Sequence, residues 1–188
     1  MGEQYRSAGG GYHKVGVMKI AVACDHRGYE AKRRVLPVLR AAGHEVEDFG
    51  CDAPVNCDYP DFAAPAARAV AEGRCEVGIL LDGSGIGMSI VANKIPGIRA
   101  ALVHDELTAS RAREHNHCNV LCLGTDLLSE DHIKRIVEIF LSTPFGSGRH
   151  DRRLAKVQQI EEESRHTSPG LRLAMQPVQQ STGAAEIA

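Results

Sequence analysis

Short apolar runs, each ended by a polar or glycine-bearing turn and followed by a longer run with helical spacing, constrain this chain most. Lys19–Cys24 (KIAVAC), Val77–Leu81 (VGILL) and Asn119–Leu123 (NVLCL) carry almost no polar residue between their ends. A strand with water on one face alternates apolar with polar, so runs like these are buried on both faces. His44–Phe49 and Ile98–Val103 read as two further strands. Between the strands lie helical patterns at Tyr29–Ala42, Pro60–Glu72, from Gly87 to about Ile95, and His104–Asn116. Ser129 opens another helix to about Ser142, and Arg152–Glu163 forms a last one. Strand and helix in alternation predict an α/β fold: a five-stranded parallel sheet with helices on both faces, a Rossmann-like three-layer arrangement. Ligands bind such sheets beyond the carboxyl ends of the strands. The places to look are therefore Asp25–Gly28, Asp82–Gly87 and His104–Asp105.

Length and charge exclude several classes of function. The 188 residues suffice for one domain. Lys and Arg number 22 against 24 Asp and Glu, so no basic excess exists to hold nucleic acid. The longest apolar stretches are strand-sized, which predicts no membrane span. Residues 1–17 carry no apolar core of a secretory signal and read as a flexible leader. Residues 18–163 form the folded unit, and 164–188, rich in Ser, Thr, Pro and Gln, read as a flexible tail. Six cysteines without a secretory address read as thiols of a cytoplasmic protein.

The loop Asp82-Gly83-Ser84-Gly85-Ile86-Gly87 joins a buried strand to a helix. Its glycines let backbone N–H groups approach a ligand, and the helix start adds partial positive charge. That suits a phosphate or a developing oxyanion. The spacing fits neither the dinucleotide fingerprint nor a nucleotide phosphate loop. Asp82 is the only titratable group in the loop. It is equally a candidate base and an ordinary turn cap.

Among nine histidines, His26 stands at the tip of the first strand and His115 near a helix end. Arg149 and Arg153, four apart, face the same way on a helix and are able to grip a phosphate together. A zinc site at Cys118 and Cys122 is set aside: on a strand, side chains four apart are separated by roughly 13 Å.

Taken together, IAVACDHRGYEAK, CDYPDFA, GSGIGMSIVANKIPGIRAA, AREHNHCNVLCLG and GRHDRR resemble the type B ribose-5-phosphate isomerases, a group that includes the galactose-6-phosphate isomerase subunits. The resemblance runs from about Met18 to Glu163. It implies interconversion of ribose 5-phosphate and ribulose 5-phosphate without metal or other cofactor, in a homodimer or dimer of dimers whose sites are shared between subunits. By the same resemblance, Asp25 and His26 contact sugar hydroxyls and phosphate, and Tyr59 lines the site. Gly83, Gly85, Ile86 and Gly87 offer an anion hole to the enediolate, and Ser84 supplies a hydroxyl. His115 opens the sugar ring with Asn116 beside it. Arg113, Arg149 and Arg153 join His26 in holding the phosphate, the last two in the neighbouring subunit's site.

One departure stands out. Many members have cysteine where this chain has Asp82, and others have glutamate where it has Met88. The expectation is that Asp82 takes the C2 proton and returns it to C1. The alternatives are another sugar phosphate (galactose 6-phosphate, allose 6-phosphate or a tetrose phosphate) or a protein that binds sugar phosphate without turning it over.

Overall fold

The computed structural model describes residues 5–6, 12–13 and 16–166. Most of the expected leader, and the expected tail beyond His166, lie outside the described residues. Five strands form one parallel sheet: β1 (Lys19–Cys24), β2 (Glu45–Asp48), β3 (Val77–Asp82), β4 (Ala100–Leu102) and β5 (Val120–Gly124). Their spatial order is β2-β1-β3-β5-β4. Separately, Tyr5–Arg6 pairs antiparallel with Tyr12–His13.

Alternate residues of the strands feed two cores, as the period of two requires. Ile20, Val22, Ile79, Leu81, Leu121 and Leu123 pack under α1 (Tyr29–Ala41), α4 (Glu106–Asn116) and α5 (Glu130–Ser142). Ala21, Ala23, Leu80, Val120 and Cys122 face α2 (Pro60–Ala71) and α3 (Ile86–Ala92) on the other side. That second core is built largely of alanine from both layers, which lets α2 lie close to β1. A sixth helix, α6, spans Arg149–His166. Among the described residues no helix is long and apolar enough to cross a membrane.

The connections set the position of the site. The helices after β1 and β5 lie on one face, whereas α3, after β3, lies on the other. Crevices therefore open on both sides of the loop that follows β3, where the strand order reverses.

Several boundaries differ from the sequence pattern. α3 stops at Ala92 because Asn93 turns back: its Nδ2 donates to the Ser89 and Ala100 carbonyls, both at 2.9 Å, and its Oδ1 accepts from Ala100 N. α4 begins at Glu106, capped by the Asp105 carboxylate on Thr108 N at 2.7 Å. α6 begins at Arg149 rather than Arg152, which puts Arg149, His150 and Arg153 on one turn of helix.

Candidate active site

At the carboxyl edge of the sheet, Asp25 follows the last residue of β1 and is 6% exposed. Its Oδ1 accepts from Arg27 N (2.9 Å) and Gly28 N (3.0 Å), so the side chain shapes the turn that carries His26. Gly28 has no room for a side chain, because a Cβ there would overlap the Leu81 carbonyl of β3. The two strand ends are thereby held backbone to backbone. The His26 Nδ1 lies 4.0 Å from Asp25 Oδ2 and accepts from Cys57 N at 3.4 Å. Tyr59 packs its ring against Gly87, where a Cβ would come within 2.8 Å of it.

Asp82 closes β3 and is 5% exposed. Its carboxyl group turns into the glycine loop. Oδ1 accepts from Ser84 N (3.0 Å) and Gly85 N, while Oδ2 takes a long contact from Met88 N (3.4 Å). Ser84 Oγ accepts from Ile86 N at 3.2 Å. Gly85 makes this geometry with φ +78°, in the left-handed region that glycine enters without strain. Burial pushes the Asp82 carboxyl above the ordinary carboxylate range. The loop N–H groups oppose that shift in part, and the nearby charge of Asp25 adds to it. Beyond the loop, Thr125 N donates to the Asp82 carbonyl at 2.8 Å, and Asp126 pairs with Arg27 over Gly83.

A second cluster occupies the opposite end of the sheet. α4 starts at the carboxyl edge, and its 11 residues, at about 1.5 Å each, cover roughly 16 Å before reaching His115 and Asn116. Arg99, just before β4, donates to the carbonyls of Asn116 (3.2 Å) and His117 (2.9 Å), which fixes this helix end at the amino edge. His115 stacks on His150 of α6 with ring centroids 4.4 Å apart and planes 10° from parallel. Arg111 Nη1 lies 3.0 Å from His115 Nε2, and Arg149 Nε lies 3.5 Å from His150 Nε2. His150 is 6% exposed. Burial, then His115 and the charges of Arg149 and Arg153, hold its imidazole below the usual range.

The expected constellation is thus divided. Asp25, His26, Tyr59, Asp82, Ser84 and the loop from Gly83 to Gly87 come together in one place. His115, Asn116, Arg149 and Arg153 come together in another, and no single chain joins the two. Arg113 lies in the last turn of α4, near this second group. Its Nη1 donates to the Cys118 carbonyl at 2.6 Å, its guanidinium lies 5.3 Å over the Phe140 ring, and its Nε is buried without a hydrogen-bond partner among the described residues. Within one chain the Arg113 guanidinium is thus anchored to the end of its own helix, with its Nη1 engaged by the Cys118 carbonyl.

The family model described as Ribose/Galactose Isomerase matches residues 20–157. The chain belongs to this family. A putative sugar phosphate isomerase of Bacillus subtilis is 41% identical over 148 residues, 78% of this chain and 99% of that protein. Ribose-5-phosphate isomerase B of Escherichia coli is 39% identical over 144 residues, covering 77% and 97%. Among solved structures, ribose-5-phosphate isomerase B of Clostridium thermocellum superposes with TM-score 0.77 at 43% identity, covering 78% of this chain and 99% of that one. The Mycoplasma genitalium enzyme with bound ribulose-5-phosphate gives TM-score 0.75 at 39% identity, covering 77% and 97%. The chain is a sugar-phosphate isomerase of the ribose/galactose isomerase family.

Several of the residues behind this family likeness build the fold rather than the site. Asn93 and Asn119 carry side chains bonded to backbone on both sides of β4, and Asn119 Oδ1 receives Arg99 N at 2.8 Å. Lys32, 4% exposed, joins α1 to Asp48 (2.9 Å) and to the Cys51 carbonyl (2.9 Å). His150 is a member of the second cluster that the sequence pattern does not single out. Its place beside two arginines was visible, but its burial against His115 depends on how α6 meets α4.

Proposed function

We propose that the chain interconverts ribose 5-phosphate and ribulose 5-phosphate, with Asp82 as the proton-transferring base, at a site completed by a second copy of the chain. The observation that carries this reading is the buried Asp82 carboxyl, set in a nest of loop N–H groups between Asp25-His26 and Tyr59. The bound ribulose-5-phosphate named for the Mycoplasma genitalium structure supports the same substrate class.

In this reading Asp25 and His26 hold the sugar hydroxyls and one side of the phosphate. Arg149 and Arg153 of the second copy clamp the phosphate, which uses binding energy remote from the reacting carbons. His115 of that copy helps open the ring, with Asn116 beside it. Asp82 Oδ2, which holds only the long contact from Met88, takes the C2 proton and returns it to C1. Proton transfer moves negative charge from the carboxylate to the enediolate oxygen. The N–H groups of Ser84 and Gly85 then lose an anionic partner just as an oxyanion forms beside them. Such preorganised donors are worth on the order of 10²–10³ in rate each. Ser84 Oγ stands at the same loop to pass a proton between O1 and O2.

Replacing Asp82 by Asn keeps an oxygen to cap Ser84 and Gly85 but removes the base. The expected result is a folded protein whose kcat on ribose 5-phosphate falls by roughly 10²–10⁴. Unaltered turnover in D82N would exclude Asp82 from proton transfer.

A second reading is favoured by the same carboxyl group, because it is already committed to its own loop. In that reading the chain binds sugar phosphate without isomerising it. Wild-type protein in heavy water separates the two: deuterium entering C2 of ribose 5-phosphate supports the enzyme, and none supports the binder. Assaying galactose 6-phosphate, allose 6-phosphate and tetrose phosphates alongside tests the choice of sugar.

A further inference from the structure

Tyr59 seats one end of the glycine loop, at Gly87; the other end, at Gly83, is held by the turn that follows β5. Thr125 N donates to the Asp82 carbonyl at 2.8 Å. Thr125 Oγ1 reaches the same carbonyl at 3.1 Å and the Arg27 carbonyl at 3.2 Å. Asp126 N donates to the Gly83 carbonyl at 3.1 Å. Across these bonds lies an ion pair, in which Arg27 Nε (2.9 Å) and Nη2 (2.6 Å) both donate to Asp126 Oδ2. A Cβ on Gly83 would meet Asp126 Oδ2 at 2.8 Å and Arg27 Nε at 2.9 Å, so the pair rests directly on the glycine. The proton-transfer chemistry described above uses none of these three side chains.

We propose that Arg27, Thr125 and Asp126 are positioning residues for the isomerisation: they lock the two peptide groups that flank Gly83, so that their N–H groups face the reacting oxygens. A trans peptide sets its N–H opposite its carbonyl. Thr125 draws the Asp82 carbonyl toward β5, so the Gly83 N–H points the other way, toward β1 and the Asp25-His26 turn. That N–H has no hydrogen-bond partner among the described residues, which leaves it open to a substrate oxygen. Asp126 N holds the Gly83 carbonyl, and the next N–H, that of Ser84, accordingly reaches Asp82 Oδ1 at 3.0 Å. Glycine alone leaves such peptide planes free to rotate. The ion pair lying across Gly83 takes that freedom away. Donors fixed in advance stabilise a developing oxyanion, whereas donors that must first turn lose part of the gain. Both partners of the pair are about half exposed, so it adds little to global stability, and its effect belongs to the loop beneath it. The ordering of the loop stands independently of the proposed isomerase reading; the effect on turnover rests on it.

The test reverses the charges of the pair in the whole protein. R27D and D126R should each lower kcat on ribose 5-phosphate by about tenfold, since small displacements of positioning groups cost that much. KM should stay within about twofold of wild type, because the donors act on the transition state rather than on bound substrate. R27D/D126R, which restores the pair with its charges exchanged, should regain most of the lost kcat. T125V keeps the backbone donor and loses the hydroxyl, so its kcat should fall by a smaller factor. Hydrogen exchange followed by mass spectrometry gives a readout that needs no turnover. Peptides covering residues 82–88 should take up deuterium faster in each single reversal and at the wild-type rate in the double. A raised KM with kcat unchanged would make Arg27 a substrate contact and overturn the proposal. A kcat unmoved by either reversal, or a double variant no better than the singles, would overturn it as well. If wild-type protein turns over no sugar phosphate, the isomerase reading fails while the exchange rates still decide whether the pair orders the loop, equal rates in wild type and variants counting against it.

Discussion

On the proposed reading the Asp82 carboxyl meets two demands: the loop needs an acceptor for its N–H groups and the reaction needs a base. The raised pKa gives it a recognisable pH signature. As a base it works ionised, so the acid limb of kcat against pH should lie above the ordinary carboxylate range. In D82C the limb should move toward the alkaline range of a thiol, reference value about 8.5. A limb at the same pH in both proteins would assign that titration to another group. Stability provides an independent check. A carboxyl group with a folded-state pKa above its unfolded value favours the native state fully below the unfolded pKa. That contribution is lost as pH rises through the folded value. Asn at this position does not ionise, so the melting temperature of D82N should gain on wild type between acid and neutral pH.

Among the elements, β1, β3 and β5 were legible because burial on both faces leaves no polar position to confuse their limits. The edge strands were less so. Ile98–Val103 shortens to Ala100–Leu102, and at its start Asn119 Oδ1 takes the Arg99 N–H that the pattern assigned to strand. The glycine loop and its neighbours at the carboxyl edge were legible through the rule for parallel sheets. The division of the site was also within reach of the sequence. A helix leaving the carboxyl edge must end near the amino edge, so His115 at the end of α4 is unable to meet Asp82 of its own chain. What no periodicity reveals is a buried cation such as Lys32, whose ammonium is satisfied only by the tertiary arrival of Asp48 and the Cys51 carbonyl. Replacing it with Met keeps the stem and strands Asp48 beside α1. K32M should lose about 2–3 kcal/mol, allowing for the partial exposure of Asp48. Urea unfolding should show this as a lower midpoint with an unchanged slope. An unaltered midpoint would mean that water replaces the ammonium at no cost.

At the scale of the whole molecule, the proposed reading needs copies arranged so that the two ends of different chains meet, since each end of the sheet would carry half of the site. A two-fold axis does this twice over, giving two composite sites per dimer. The consequence is testable by complementation. On the proposed reading, D82N removes the base from the carboxyl-edge half-site, and R149A/R153A removes the clamp from the amino-edge half-site. Each variant alone should be nearly inactive on ribose 5-phosphate. Unfolded and refolded together in equal amounts, random pairing makes half the dimers mixed. In each mixed dimer one site receives both lesions and the other receives none. Activity should therefore return to about a quarter of the wild-type value. If instead the arginine clamp served the base of its own chain, every site in the mixture would carry a lesion and no activity would return. The size of the recovery thus reads directly whether catalysis crosses the subunit boundary.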